Sequence, residues 1–303
     1  MASSFANMDI KINADTALDT IKDQLIPYSA MAFEVKTAEG VVSGDTVQVP
    51  FITKGADATA YHKINNNYET DNGEAHSFKP ITINKHYLKT AELTPAQWLR
   101  LSDDSLQKIW TELARGNASA MSKDMMALIL AATYGAPCFT GVASTFDADD
   151  LVDCRRALVD ATGQETGLIA VLGGTYYDGI LKDAQVNGVG AFGTDGPARN
   201  ALLPNTRGFD SIISSNIIPG NAENLVGFVT TGQGIVGAQV VETPALPDDV
   251  MFTTSTDPYT GFTLGFRAHQ SRVTGNYFMS AECWGGFAAG NTASLKRLIS
   301  VAP

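Results

Sequence analysis

Few side chains in this sequence stand in an order that does chemistry. Val171-Leu172-Gly173-Gly174-Thr175 joins an apolar run to a helical one. The backbone N–H groups at such a junction can hold a phosphate. The run lacks the spacing of a dinucleotide loop and the Gly-Lys-Ser/Thr ending of a nucleotide loop, so a plain tight turn accounts for it. The histidines are His62, His76, His86 and His269. The first three are too widely spaced for a compact metal motif, and they read as solvated residues of a polar segment. Asp147, Asp149, Asp150 and Asp153 could face a cation, but an acidic helix start explains them better. Cys138, Cys154 and Cys283 form no pair motif and read as buried or inert thiols of a reducing compartment. Neither Gly-x-Ser-x-Gly nor a paired cysteine–histidine signature occurs. The expectation is a protein that is not an enzyme, with no catalytic residue, no cofactor and no bound metal.

A second set of charges has a different use. Glu69, Asp71 and Glu74 precede Lys79, Lys85 and Lys89. If the first three sit near the tip of an arm and the lysines on its return strand, repeated pairing between copies can set register. Each exposed pair contributes only about 0–1 kcal/mol. These six residues are the expected assembly contacts.

The elements that would carry them are unusual. Residues 41–93 read as a long polar β-type arm. Val47, Val49 and Phe51 alternate with polar positions, and Ile81-Thr82-Ile83-Asn84-Lys85-His86-Tyr87-Leu88 returns as a strand. Pro50 places the outgoing strand at an edge. Between them lie the turn residues Asn65-Asn66-Asn67 and Asp71-Asn72-Gly73. A two-stranded ribbon is marginal alone in water, yet no later segment announces itself as its support. A structureless loop of this length would be uncommon unless functional.

The arm runs into one long helix, predicted over residues 95–133. Thr94-Pro95-Ala96-Gln97 is a capping box. Ser102-Asp103-Asp104 offers a second start, which would leave a separate short helix ahead of it. Leu106, Ile109, Trp110, Leu113, Met121, Met125 and Leu128 keep helical spacing, and Tyr134-Gly135-Ala136-Pro137 is a stop. Gly116-Asn117 interrupts the stripe and marks a candidate bend. From 103 to 133 the helix would be about 46 Å long. Trp110 and Leu113 share a face and are expected to pack on the late alternating strands, Phe262 to Ala268 and Tyr277 to Ala281. Ahead of the arm, Ala14, Leu18, Ile21 and Leu25 form one side of a short helix that could pack on its own chain or on another. Residues 147–161, 168–172, 175–181, 209–218 and 225–230 read as alternating helix and strand, and 187–208 as a long loop.

Composition bounds the function. The chain has 303 residues, 44% of them hydrophobic, and a net charge of −11. It can bury a substantial core. It is a poor candidate for gripping nucleic acid through phosphate neutralisation. The start of the chain shows no signal-peptide pattern, and no run approaches the roughly 20 apolar residues of a membrane span, so no membrane partner is expected.

The order of parts resembles the major capsid proteins of tailed bacteriophages, those with the Hong Kong ninety-seven type fold. The resemblance rests on a helical N-terminal arm, then Gly44-Asp45-Thr46-Val47-Gln48-Val49-Pro50, a long hairpin, a spine helix, an α/β unit and two late strands. It is carried further by Ala157-Leu158-Val159-Asp160, Gly167-Leu168-Ile169-Ala170-Val171-Leu172, Tyr176-Tyr177-Asp178-Gly179-Ile180-Leu181 and Gly208-Phe209-Asp210-Ser211-Ile212-Ile213. It implies an α+β fold with residues 1–43 as N-terminal arm and 44–93 as extended loop. Residues 94–144 and 246–289 would be a peripheral domain with the spine helix, and 145–245 and 290–303 an axial domain.

It further implies hexamers and pentamers in an icosahedral virion shell, assembled in the host cytoplasm. Packaged double-stranded DNA would lie nearby without specific binding, and a portal would be a partner. With no coiled-coil preface ahead of the arm, a separate scaffolding protein is expected. Some relatives join a loop lysine to a neighbour's asparagine. Lys54, Lys63, Lys79 and Asn291 would be the candidates here, but their polar surroundings keep the lysines protonated, so a non-covalent shell is expected. The alternatives are a tube, ring or sheath subunit, a monomeric binding module using the arm, and an enzyme with a phosphate site at Gly173-Gly174.

Overall fold

The structure is a computed structural model. It describes residues 10–21, 25–36, 44–53, 75–183, 186, 207–216, 218, 223–242 and 250–301. Helix α1 (Ile10–Thr20) leads through a 3-10 turn (Ile26–Ala30) to strand β1 (Ala32–Lys36). Strands β2 (Thr46–Thr53) and β3 (Ala75–Thr82) pair antiparallel, with Thr46 opposite Thr82 and Thr53 opposite Ala75. Next come β4 (Lys85–Leu93), the helices α2 (Pro95–Trp98), α3 (Asp103–Met126) and α4 (Ala131–Tyr134), and β5 (Phe139–Thr140). The α/β unit holds α5 (Ala148–Thr162), β6 (Ile169–Gly173), α6 (Gly174–Lys182), β7 (Ser211–Ser215) and β8 (Leu225–Thr230). The chain closes with β9 (Ile235–Val240), β10 (Val250–Thr256), β11 (Thr263–Gln270), β12 (Tyr277–Ala289) and β13 (Leu295–Ile299).

Two sheets organise the chain. A six-stranded sheet runs β1-β9-β12-β11-β10, with β4 also on β12. The long β12 is shared end to end: β4 pairs with Tyr277–Gly285 and β9 with Trp284–Ala289. A five-stranded sheet runs β5-β13-β8-β6-β7. Ile235–Val240, within the residues expected to be axial, therefore lies in the same sheet as the late strands, while Leu295–Ile299 lies in the other.

Helix α3 lies across one face of the larger sheet. Ser102 caps it, accepting from Ser105 N, and Asp103 and Asp104 suit its first turn. Its buried side includes Leu106, Trp110, Leu113, Ala118, Met121 and Met125. These meet Phe262, Leu264, Phe266, Ala268, Met279 and Ala281, the inward residues of two strands with a two-residue period. Trp110 is wholly buried, its ring edge-on to Phe266 at 5.5 Å.

The helix expected over 95–133 is three helices. The capping box at Thr94 forms, but it starts only the single turn of α2. The long member, α3, has 24 residues, so it spans about 36 Å. Its end has a tertiary cause. The Glu223 carboxylate accepts from Ala131 N at 2.7 Å and starts α4 as a separate turn. Gly116-Asn117 does not interrupt α3, which runs through both residues. A side chain at Gly116 would collide with Lys89, and Asn117 Nδ2 donates to Ala281 O at 2.7 Å, so both positions serve close packing on the sheet. Helix α6 starts at Gly174, one residue before the expected 175, and Gly173 is its N-cap with no side-chain cap.

Helix α1 packs on its own chain. Ala14, Leu18, Ile21 and Leu25 are all buried in the core shared with α3. Lys11 Nζ donates to Thr254 O at 2.7 Å, Ser255 Oγ to Asp15 Oδ1 at 2.5 Å, and Gln107 Nε2 to Asn13 O at 3.2 Å. The loop expected over 187–208 falls almost wholly outside the described residues.

Candidate functional site

The feature that stands apart from both sheets is the β2–β3 ribbon, and its base has a seat. Val47, Val49, Ile81 and Ile83 are buried against Val236, Ala238 and Val240 of β9. The expectation that no later segment supports the ribbon is corrected: β9 supports it. All seven are apolar and take every second position of their strands, so one face of the ribbon meets one face of β9. Gly286 of β12 makes room for the crossing. A Cβ there would press into the Thr82 carbonyl oxygen and come within 3.0 Å of Ile81 Cγ2.

The return strand is two strands. The chain breaks at Ile83-Asn84, and Lys85–Leu93 becomes part of the six-stranded sheet rather than of the extension. The extension proper is thus β2, β3 and the residues between them. Residues 54–74, which include Lys54, His62, Lys63, Glu69, Asp71 and Glu74, lie outside the described residues, as do the side chains of Ala75, His76 and Ser77.

The other expected contacts divide. Lys79 is on β3 opposite Val49. Lys85 Nζ is 3.0 Å from Asp124 Oδ2, and Lys89 Nζ donates to Glu112 O at 3.0 Å. Both therefore tie β4 to α3 inside the chain instead of lining the ribbon. Asp124 also accepts from Tyr87 Oη at 2.6 Å, and burial pushes the Tyr87 phenol well above its ordinary range. Asn291 caps the 3-10 turn Thr292–Ser294, accepting from Ala293 N at 3.1 Å.

Sequence reasoning missed a patch on the sheet face away from α3. Glu282 holds Arg267 at 2.8 Å and His86 Nε2 at 3.3 Å, and His86 stacks on Trp284 with ring centroids 4.3 Å apart. Leu88 on β4 and Phe78 on β3 are apolar and exposed, at 52% and 62%. Tyr259 and Val273, 81% and 95% exposed, stand at turns at opposite ends of β11. The strand registers that bring Arg267, Glu282 and His86 together are not readable from local pattern.

The chemical candidates have structural roles. A Cβ at Gly173 would meet Val226 O at 3.0 Å, and one at Gly174 would meet Asn216 Oδ1 at 3.0 Å. Gly173 thus lets the end of β6 pass close to the backbone of β8, and Gly174 leaves room for the Asn216 side chain. Asp147 caps α5, its Oδ1 accepting from Asp149 N at 3.0 Å and Asp150 N at 3.1 Å. Burial, with the charges of Asp147, Asp153 and Asp149, raises the Asp150 carboxyl. Among the described residues no group of three His, Cys, Asp or Glu side chains could hold a metal ion. No helix among them is long and apolar enough to cross a membrane.

Comparison with known proteins gives a likeness in structure alone. No family model and no curated protein matches the chain. Its structure is similar to the capsid of the cyanophage P-SCSP1u, with a TM-score of 0.58 at 14% identity over 91% of this chain and 88% of that one. It is also similar to the mature capsid of bacteriophage PhiM1, with a TM-score of 0.55 at 10% identity over 89% and 86%. The capsid of a native GTA particle aligns over 100% of this chain and 95% of that one, with a TM-score of 0.50 at 13% identity. The fold is α+β, of the Hong Kong ninety-seven type.

Proposed function

We propose that the chain is a major capsid protein that assembles with copies of itself, as hexamers and pentamers, into an icosahedral virion shell around double-stranded DNA. The observation that carries this reading is the extent of the likeness: the capsid fold spans nine-tenths or more of the chain in two of the three comparisons, at 91% and 100%. The larger sheet with α3 would be the peripheral part of the subunit, and the smaller sheet with α5 and α6 the axial part. Assembly needs buried area rather than a reactive group, and obligate interfaces bury about 2,000–5,000 Å² in total. A ribbon seated at its base, with Phe78 exposed, offers such area to a neighbour. The net charge of −11 suits a shell that surrounds DNA without gripping its phosphates. A separate scaffolding protein and a portal complete the expected partners, and the subunit has no catalytic role.

Replacing residues 54–74 with a short Gly-Ser linker tests the reading. Ala75–Lys79 belong to β3 and are kept. The variant should melt cooperatively like the parent and form no closed shells. Normal shells from it would show that the arm is not the assembly element.

A further inference from the structure

Sequence and structure disagree over one short stretch. Ala127-Leu128-Ile129-Leu130-Ala131-Ala132-Thr133 is rich in good helix formers and holds neither glycine nor proline, yet α3 stops at Met126 and α4 begins at Ala131. A local preference set against the observed fold marks a place where distant contacts decide the backbone. We propose that Glu223 and Arg297 form a latch on this break, and that withdrawing Glu223 merges α3 and α4 into one helix from Asp103 to Thr133. The inference stands apart from the capsid reading, since it concerns one chain.

The break is narrow. Ala127 is still in the right-handed helical region, and Leu130 is extended, at φ −119° and ψ 156°. Leu128 N donates to Met125 O at 3.2 Å and Ile129 N to Met126 O at 3.1 Å, the tighter bonds of a helix end. Leu130 is the N-cap of α4 and has no side-chain oxygen to cap with. The cap comes instead from far along the chain, where Glu223 Oε2 accepts from Ala131 N at 2.7 Å. The same oxygen accepts from Arg297 Nη1. Arg297 Nε and Nη2 donate in turn to Gly135 O, the C-cap carbonyl of α4, at 3.2 and 2.7 Å. One ion pair thus holds both ends of α4, the anion at its first N–H and the cation at its closing carbonyl. A helix of four residues has no stability of its own. Tyr134 Oη adds a bond to Gly234 O at 2.7 Å.

The exposures set how the latch opens. The Glu223 side chain is 30% exposed and that of Arg297 only 3%, so release comes from the Glu223 side. Without its anion, a guanidinium this buried must reach for solvent, and in moving it gives up Gly135 O. Ile129 keeps its place in either state. It is wholly buried and follows Met126 by three residues and Met125 by four, so a continued helix leaves it on the same face. The change begins at Leu130. Once that residue turns helical, Ala131 N finds Ala127 O in place of Glu223, and the chain beyond it swings off Arg297 and Gly234. Because α3 lies on the larger sheet and Arg297 belongs to β13 of the smaller one, the latch fixes one sheet against the other.

The test is amide hydrogen exchange, resolved to single residues, on the full chain. It compares Glu223→Ala with the same chain carrying Ala131→Pro as well. Proline suits the broken state, where it takes the first position of α4 behind an extended Leu130, and it forbids the merged helix. In Glu223→Ala, the amides of Ala131, Thr133 and Tyr134 should exchange within about threefold of the parent, because they have joined α3. With proline added, Thr133 and Tyr134 should exchange about tenfold faster or more, since α4 has lost its latch and has no helix to join. Ala131→Pro alone should match the parent at these two amides. If Glu223→Ala does not fold, the same comparison is made on Glu223→Gln, which removes the charge that Arg297 holds. An Ala131 amide that exchanges about tenfold faster without proline would mean that only a cap was lost, and would overturn the proposal. Equal rates with and without proline in the Glu223 variant, or fast exchange in Ala131→Pro alone, would overturn it as well.

Discussion

Gly286→Ala should separate the fold from the ribbon. The new Cβ would press into the Thr82 carbonyl and come within 3.0 Å of Ile81 Cγ2 and 3.1 Å of Thr82 C. Ordinary carbon contacts are about 3.5–4.0 Å, so the ribbon base must lift by about 1 Å. Overpacking of this kind costs about 1–3 kcal/mol. Undocking the ribbon altogether would expose Val47, Val49, Ile81 and Ile83, at about 1.5–3 kcal/mol each, which is more. The ribbon should therefore stay on its seat in a shifted position. At about 2.1 cal/mol/K per residue of unfolding entropy, the melting midpoint falls by about 2–5 °C.

Gly285→Ala is the internal control. Its Cβ meets the ends of two side chains, Met121 Cε at 3.3 Å and Tyr87 Cε2 at 3.4 Å, and these can yield. Three measurements apply: thermal denaturation, hydrogen exchange of the β3 amides, and light scattering during assembly. Gly286→Ala should lose little midpoint, exchange faster over residues 79–82, and assemble poorly, while Gly285→Ala should match the parent. If the two variants behave alike in all three, the ribbon is not seated as described.

Trp110→Ala should cost about 3–5 kcal/mol, or about 5–8 °C of midpoint, whereas Trp110→Phe should cost less than half of that. The phenylalanine keeps the contact with Phe266 and removes an indole N–H that has no acceptor among the described residues. Asp15 gives a pH signature. Burial acts to raise its carboxyl pKa, but the hydrogen bonds from Ser255 and Lys11 and the Lys11 charge outweigh that, so it lies below 3.8 in the folded chain. Its support for α1 is then full above 3.8 and lost as pH falls through the lower folded value, so the midpoint gap between parent and Asp15→Asn should close in acid. A gap that persists well below that value would contradict the assignment. Boiled, detergent-treated particles should run as a single band near 32.1 kDa, and a ladder of multimers would mean that a lysine is covalently joined to a neighbour.

Local pattern carried much of this fold. The two-residue period of Phe262–Ala268 and Tyr277–Ala281 foretold β11 and the inward face of β12, and the stripe through Trp110 and Leu113 foretold what lies on them. Asp147 and Ser102 read correctly as helix starts because capping is decided within a few residues. What failed was set at long range. The break after Met126 depends on Glu223, whose carboxylate starts α4. The seat of the ribbon depends on Ile235–Val240, an entirely buried strand without alternation that gives no period to read. Strands β1 and β13 were missed because each is short, with partners far away in sequence. At the candidate site, the ribbon was legible as a hairpin, but its true limits were not. Nothing in Lys85 or Lys89 says that α3 will bind their ammonium groups.

The central claim is that this chain builds closed shells by itself or with a scaffold. Electron microscopy of the purified chain, concentrated alone and in a lysate of cells expressing it, tests that most directly. The account predicts closed particles, or flat arrays of hexamers, carrying a density that fits the two-sheet subunit. Tubes or a single ring would contradict the shell, and a monomer at high concentration in both preparations would contradict assembly altogether.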